Sequence, residues 1–144
     1  MPQLQFAIAS MLFFLAATNG FEVLASVLQT QASITSALHK SIHSSLSQPV
    51  GSLLLAAPFF GIGVVAANLA KGVSPFQAKV FFASSVAGLG ALYLAGYWAA
   101  QQALLAQKWT AAALSVGLLP FKSILVLLLA AIAAGVLFWR AARA

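Results

Sequence analysis

The feature that most constrains this chain is the length of its uncharged stretches. Residues 1–21, 41–70, 80–107 and 123–139 contain no Asp, Glu, Lys or Arg side chain. A helix needs about 20 mainly apolar residues to cross a hydrocarbon core of roughly 30 Å, because it rises about 1.5 Å per residue. The sequence therefore has room for four membrane-spanning helices.

Composition excludes a soluble protein. The chain is 62% apolar and 6% charged, whereas a soluble domain is roughly 45–50% apolar and about 25% charged. Seven basic residues and one acidic residue cannot cover a water-facing surface. The basic residues are single and widely spaced, so they cannot follow a phosphate backbone, and we expect no nucleic-acid partner. Since there is no cysteine, disulfides and thiolate metal sites are excluded.

These observations predict an all-α fold, a polytopic membrane protein with a bundle of four transmembrane helices. We expect one integral membrane domain over residues 1–144, with spans at about 5–28, 50–70, 80–101 and 121–139. The first apolar stretch lacks the basic region of a signal peptide, so we interpret it as an uncleaved span. Pro58 should kink the second span.

The segment between the first two spans has an amphipathic pattern. Four aliphatic residues recur at every fourth position and share one helical face: Ile34, Leu38, Ile42 and Leu46. There is no Gly or Pro between Phe21 and Gln48, so the helix either continues out of the membrane or bends to lie on its surface. Its polar face has few cations, which favours packing against protein over binding to anionic lipid.

The short apolar segment 109–119 cannot cross a bilayer, and we expect it to be interfacial or re-entrant. The basic residues beside the spans are divided four to three. Lys71, Lys79, Arg140 and Arg143 share the side of both termini, and Lys40, Lys108 and Lys122 lie on the other. This bias favours cytoplasmic termini, in a bacterial inner membrane or an equivalent energy-transducing membrane.

Small residues form a regular face on the third span. Alanine occurs at every fourth position, with glycines beside it: Ala83, Ala87, Gly88, Ala91, Ala95, Gly96 and Ala99. Positions four apart share a helix face, and helices in lipid pair where small residues let their backbones approach. The face either packs inside this bundle or docks another subunit.

Glu22 is the only acidic residue, and carboxylates inside membranes are functional candidates. Counting about 1.5 Å per residue from Gln5 puts Glu22 near the far interface. We predict that it pairs with Lys108 or Lys122. The candidate polar site consists of Thr18, Asn19, Glu22, Asn68 and Lys122.

His39 and His43 are four residues apart and could share a metal, but a catalytic zinc site needs three protein ligands. We therefore interpret them as exposed surface residues, with a metal or tetrapyrrole contact as the alternative. One carboxylate excludes paired-carboxylate catalysis, and neither G-x-S-x-G nor a phosphate-binding loop occurs. We expect no enzymatic activity and no cofactor.

By elimination, the sequence favours a non-catalytic accessory or structural subunit of a larger membrane complex. Its partners would be the lipid bilayer and other membrane subunits, identical or different. The alternative is a small transporter or channel component with a polar site around Glu22. A third class is an electron-transfer or pigment-binding subunit that uses His39 or His43.

Overall fold

The computed structural model describes all 144 residues, and they form helices only. The seven α-helices are α1 (Pro2–Leu15), α2 (Phe21–Thr30), α3 (Ile34–Ser47), α4 (Pro49–Gly72), α5 (Pro75–Leu105), α6 (Trp109–Gly117) and α7 (Leu119–Arg143). A π-helical segment, Ala16–Gly20, joins α1 to α2. The predicted all-α class is confirmed.

Four helical units are long and apolar enough to cross a membrane: Pro2–Thr30, Pro49–Gly72, Pro75–Leu105 and Trp109–Arg143. Their number agrees with the four predicted spans, and each unit extends beyond the predicted bounds. Only 29 of the 144 residues are buried, so most apolar side chains lie on the outer surface. On α7, Leu125, Leu129 and Ile132 are exposed. These features are compatible with a multi-pass membrane protein.

Helix α2 ends in a left-handed residue and does not continue into α3. Gln31 has a φ of 54°, a conformation that ends a helix because the next amide can no longer continue the ladder. Ser33 then begins α3, and its Oγ accepts a hydrogen bond from the Ser36 amide at 3.3 Å. Residues 21–48 therefore bend between α2 and α3 and do not form one continuous helix.

The long helices form an antiparallel arrangement around a core of large buried side chains. Helix α1 packs against α4, where the Phe14 and Phe59 rings lie 6.1 Å apart. The first span runs parallel to α5, since Phe6 contacts Phe82 near one end and Gln29 donates to the Trp98 carbonyl at 3.3 Å near the other. The largest fully buried side chains include Tyr93, Phe59, Ile62, Leu69 and Leu89.

Pro58 lies inside α4 and is buried. A proline has no amide hydrogen to donate to the carbonyl four residues earlier, here Leu54. In the same turn, the Tyr93 hydroxyl of α5 donates to the Leu55 carbonyl at 2.7 Å. The tyrosine therefore contributes a polar contact between α4 and α5 in the turn that proline weakens.

Helix α6 folds back along the end of α5. The reversal uses Gln107, whose φ is 58°, and the Lys108 amide donates to the Ala103 carbonyl at 2.8 Å. Leu119, at the start of α7, is fully buried against Gly96 in the carboxyl-terminal half of α5. Residues 109–117 therefore return toward the bundle.

Both termini and the α4–α5 turn lie at one end of the bundle. Near the carboxyl terminus, Phe138 contacts Gly72, and near the amino terminus Gln3 and Asn68 line a common cavity. The basic residues of that end include Arg143, whose guanidinium lies 3.8 Å from the Trp139 ring centre. The other end carries α3, α6 and the turns beside them.

Candidate functional site

The polar residues of the first span meet α3 at the end of the bundle opposite the termini. Glu22 is half-buried, and its Oε2 accepts a hydrogen bond from Ser41 Oγ at 2.6 Å. Asn19 Oδ1 accepts one from Ser45 Oγ at 3.3 Å, and Ser52 of α4 donates to the Ser45 carbonyl at 2.9 Å. Two serines of α3 thus bind the first span, and one of them, Ser45, also connects it to α4.

The π-helical segment ends at Gly20, two residues before Glu22. π-Helical turns are rare and are often found at functional sites, because the extra residue in the turn changes the register of side chains on either side. Thr18 is buried within it and donates to the Phe14 carbonyl at 2.8 Å, while its Oγ1 lies 3.0 Å from Asn19 Oδ1. This segment also packs against α3.

Helix α3 turns its serine face to the protein and its aliphatic face outward. Ala37 and Ser41 are buried. The four aliphatic residues are all exposed, at 67% for Ile34, 43% for Leu38, 44% for Ile42 and 76% for Leu46. Helix α3 therefore packs against protein through its serine face, and its aliphatic face is directed outward. In lipid an outward aliphatic face is favourable, because hydrocarbon is its solvent.

A cavity of about 510 Å³ lies between α3, α4, α6 and the end of α5, with Glu22 in its wall. One part of the wall is polar or aromatic, formed by Glu22, Ser44, Ser45, Gln48, Ser52, Tyr97, Gln101 and Trp109. The rest is apolar or small, and includes Leu54, Leu104, Ala113 and Val116. No Lys, Arg or His lines this cavity.

The structure brings Thr18, Asn19 and Glu22 together, but not the other two candidates. Asn68 is exposed and lines a different cavity, with Gln3 and Ser10. Lys122 is exposed on α7 and lies outside the Glu22 cavity. The predicted Glu22–lysine ion pair is replaced by the hydrogen bond to Ser41.

His39 and His43 are both exposed on α3. No group of three or more His, Cys, Asp and Glu residues comes together to hold a metal ion.

The small-residue face of α5 divides into two parts. Gly96 is buried beneath Leu119, and a Cβ on Gly88 would lie 3.5 Å from Val126, so the glycines face α7. The five alanines are all exposed: Ala83, Ala87, Ala91, Ala95 and Ala99. We call these five residues the alanine ridge. No helix of this chain covers them.

An apolar groove of about 690 Å³ lies beside the alanine ridge, between α5 and α7. Its wall includes Val80, Ser84, Leu129 and Ala133.

Several residues that contact Glu22 or line its cavity were not identified from the sequence. Ser41 and Ser45 are four residues apart and therefore share a face of α3, opposite the aliphatic residues. The spacing of this serine pair is the sequence signal that could have predicted a polar face of α3 in contact with the first span. Tyr97 and Trp109 come together only because α6 folds back along α5.

Comparisons of this chain with protein-family models, curated proteins and solved structures found no match.

Proposed function

We propose that this protein is a non-catalytic accessory subunit of a larger membrane complex, and that it docks through the alanine ridge of α5. The observation that supports the proposal is the exposure of all five alanines along one face of the helix. Gly88 and Gly96 of α5 lie against Val126 and Leu119 of α7. Packing within the chain therefore explains these glycines but leaves the ridge without a partner.

The physical argument rests on what drives helices together in lipid. Lipid tails are as apolar as leucine, so association depends on close van der Waals contact and on interhelical hydrogen bonds rather than on the hydrophobic effect. A row of methyl side chains lets a second helix approach the α5 backbone closely. Large side chains on the lipid-facing surface of α7, such as Leu125 and Ile132, would hold a partner helix further away. The partner is therefore expected at α5.

The experiment replaces Ala91, at the centre of the ridge, with leucine. The tagged protein is solubilised in a mild detergent and analysed by native mass spectrometry and native gel electrophoresis. We expect the wild type to carry a stoichiometric partner, either another protein or a second copy. Ala91→Leu should retain about a tenth of it or less, which corresponds to about 1.4 kcal/mol of association energy.

The matched control is Ala111→Leu, which adds the same side chain at an exposed alanine of α6 outside the ridge. This variant should keep its partner. A wild-type protein that is a clean monomer would refute the proposal. The docking proposal would also fail if Ala91→Leu and Ala111→Leu retained the partner equally.

The second candidate function is a small transporter or channel component, and the Glu22 cavity favours it. A carboxylate in a cavity at the end of a membrane bundle is a reasonable ion or substrate contact. The position of Asn68 argues against a continuous polar path, because it lies in a separate cavity with Gln3 and Ser10. Flux assays in proteoliposomes would distinguish the two functions, since an accessory subunit alone should produce no flux above that of empty vesicles.

A further inference from the structure

We propose that the Glu22 cavity binds the primary ammonium group of an amphiphilic amine, either a free alkylamine or the headgroup of phosphatidylethanolamine. This site is separate from the alanine ridge. Its existence therefore does not depend on the accessory role, and either proposal can fail without the other.

The first argument is the hydrogen bonding of the Glu22 carboxylate. Oε2 accepts a hydrogen bond from Ser41 Oγ, whereas Oε1 has no protein donor and is not enclosed. The carboxylate lines a cavity large enough for a ligand. A carboxylate prefers charged donors, because a hydrogen bond between ionised groups is roughly twice as strong as a neutral one.

The second argument is the charge balance of the cavity. The chain carries seven Lys and Arg residues, yet none of them lines the cavity that holds its only acidic side chain. Near the low dielectric of a membrane, an uncompensated charge is costly, and a bound cation offsets that cost. The positive charge that balances Glu22 in this cavity is therefore expected from a bound ligand.

The third argument selects an organic ammonium over a metal ion. No group of three or more metal-ligating side chains exists, and a volume of about 510 Å³ exceeds the space that one ion needs. The rings of Tyr97 and Trp109 lie in the wall, and aromatic faces attract cations. A primary ammonium has three N–H donors. The carboxylate and the Ser and Gln oxygens of the wall supply acceptors for them.

The fourth argument is the apolar part of the wall, which fits an attached hydrocarbon chain. Leu54, Leu104 and Val116 lie in the same cavity as Glu22. Ser52 belongs to the first turn of α4, so the carboxylate is close to one end of that span. This is the depth at which an amphiphile carries its headgroup, with its chain directed into the hydrocarbon.

The binding test uses the full-length protein in phosphatidylcholine nanodiscs, with octylammonium and 1-octanol as probes. Replacing Trp98 and Trp139 with phenylalanine leaves Trp109, in the cavity wall, as the only tryptophan that reports binding. Octylammonium should change its fluorescence saturably. Glu22→Gln, which can still accept the Ser41 hydrogen bond, should weaken that binding about tenfold or more. Octanol should show no dependence on Glu22, and the control Asn68→Ala should bind octylammonium like the wild type.

A second arm tests the lipid source. Protein released from nanodiscs with equal amounts of phosphatidylethanolamine and phosphatidylcholine is examined by native mass spectrometry. Retention of phosphatidylethanolamine by the wild type but not by Glu22→Gln identifies a headgroup ligand. Glu22-dependent binding of octylammonium alone identifies a free amine. Both results support an ammonium site.

Ala113→Phe provides an independent variant, because it fills the cavity and leaves the carboxylate in place. It should abolish octylammonium binding and phosphatidylethanolamine retention even if Glu22→Gln fails to fold. The proposal is overturned if neither amine shows a dependence on Glu22 or on Ala113. It is also overturned if octanol reproduces the octylammonium response and phosphatidylethanolamine is retained no better than phosphatidylcholine.

Discussion

The close contact between Gly63 of α4 and Ser10 of α1 provides the sharpest test of helix packing in the bundle. Gly63 of α4 faces Ser10 of α1, and a Cβ at Gly63 would overlap the Ser10 Oγ and lie 3.3 Å from the Phe6 carbonyl oxygen. Ser10 is fully buried and donates to that same carbonyl at 2.7 Å. Gly61, two residues earlier, has nothing within 4 Å of the equivalent position. Gly63→Ala and Gly61→Ala therefore make the same chemical change in one helix with opposite steric consequences.

The magnitude follows from the terms that differ between the two variants. Each gains the helix propensity of alanine over glycine, about 1 kcal/mol, so this gain cancels in the comparison. Gly63→Ala adds the strain of overpacking, about 1–3 kcal/mol. It adds about 1 kcal/mol more if Ser10 rotates and loses its hydrogen bond. We expect Gly63→Ala to be less stable than Gly61→Ala by roughly 1–4 kcal/mol.

The assay is reversible unfolding in mixed micelles with an increasing fraction of SDS, followed by circular dichroism. The cycle partner is Ser10→Ala, which removes the overlapping oxygen and leaves a Cβ at 3.5 Å, an ordinary contact. In this background Gly63→Ala should cost much less, because contacting residues couple energetically. Equal stability of Gly63→Ala and Gly61→Ala would refute the reasoning, as would strict additivity in the cycle.

Two further variants test other contacts by the same unfolding assay. Gly96→Ala would bring a Cβ to 2.7 Å from the fully buried Leu119, so we expect a loss of about 1–2 kcal/mol. Gly135→Ala has nothing within 4 Å and should be neutral or slightly stabilising. Tyr93→Phe removes the 2.7 Å hydrogen bond to a backbone carbonyl of α4 and should cost about 0.5–1.5 kcal/mol. The control is Tyr97→Phe, because the Tyr97 hydroxyl donates to no protein group. Its loss of stability should be smaller than that of Tyr93→Phe.

The number of spans was predictable because the solvent imposes it. In hydrocarbon every backbone amide and carbonyl needs a partner within its own segment, so a long uncharged stretch has helix as its stable form. The start of α7 was also predictable, since Pro120 suits the first turn of a helix, where the amide has no partner. The break at Gln31 was not, because no Gly or Pro marks it and glutamine rarely takes a positive φ.

The small-residue face of α5 was predicted as one surface, but the structure divides it into two adjacent faces that point in different directions. Gly88 and Gly96 face α7, whereas the neighbouring alanines face outward. Spacing alone identifies which residues share a face. It does not identify which of two adjacent faces receives a helix of the same chain, because that depends on where α7 begins after α6.

The partner of Glu22 illustrates the same limit at the candidate site. Charge complementarity favoured a lysine, but Ser41 of α3 donates to the carboxylate instead. In water, the aliphatic face of α3 would have to turn toward the protein, and the serines would point away from Glu22. In lipid both orientations keep the aliphatic side chains in an apolar medium, so hydrophobicity no longer selects between them. The hydrogen bonds from Ser41 to Glu22 and from Ser45 to Asn19 then decide the orientation, because a polar face exposed to hydrocarbon would be costly. Polar contacts therefore orient α3, and two of the residues that make them, Glu22 and Ser45, lie in the wall of the Glu22 cavity.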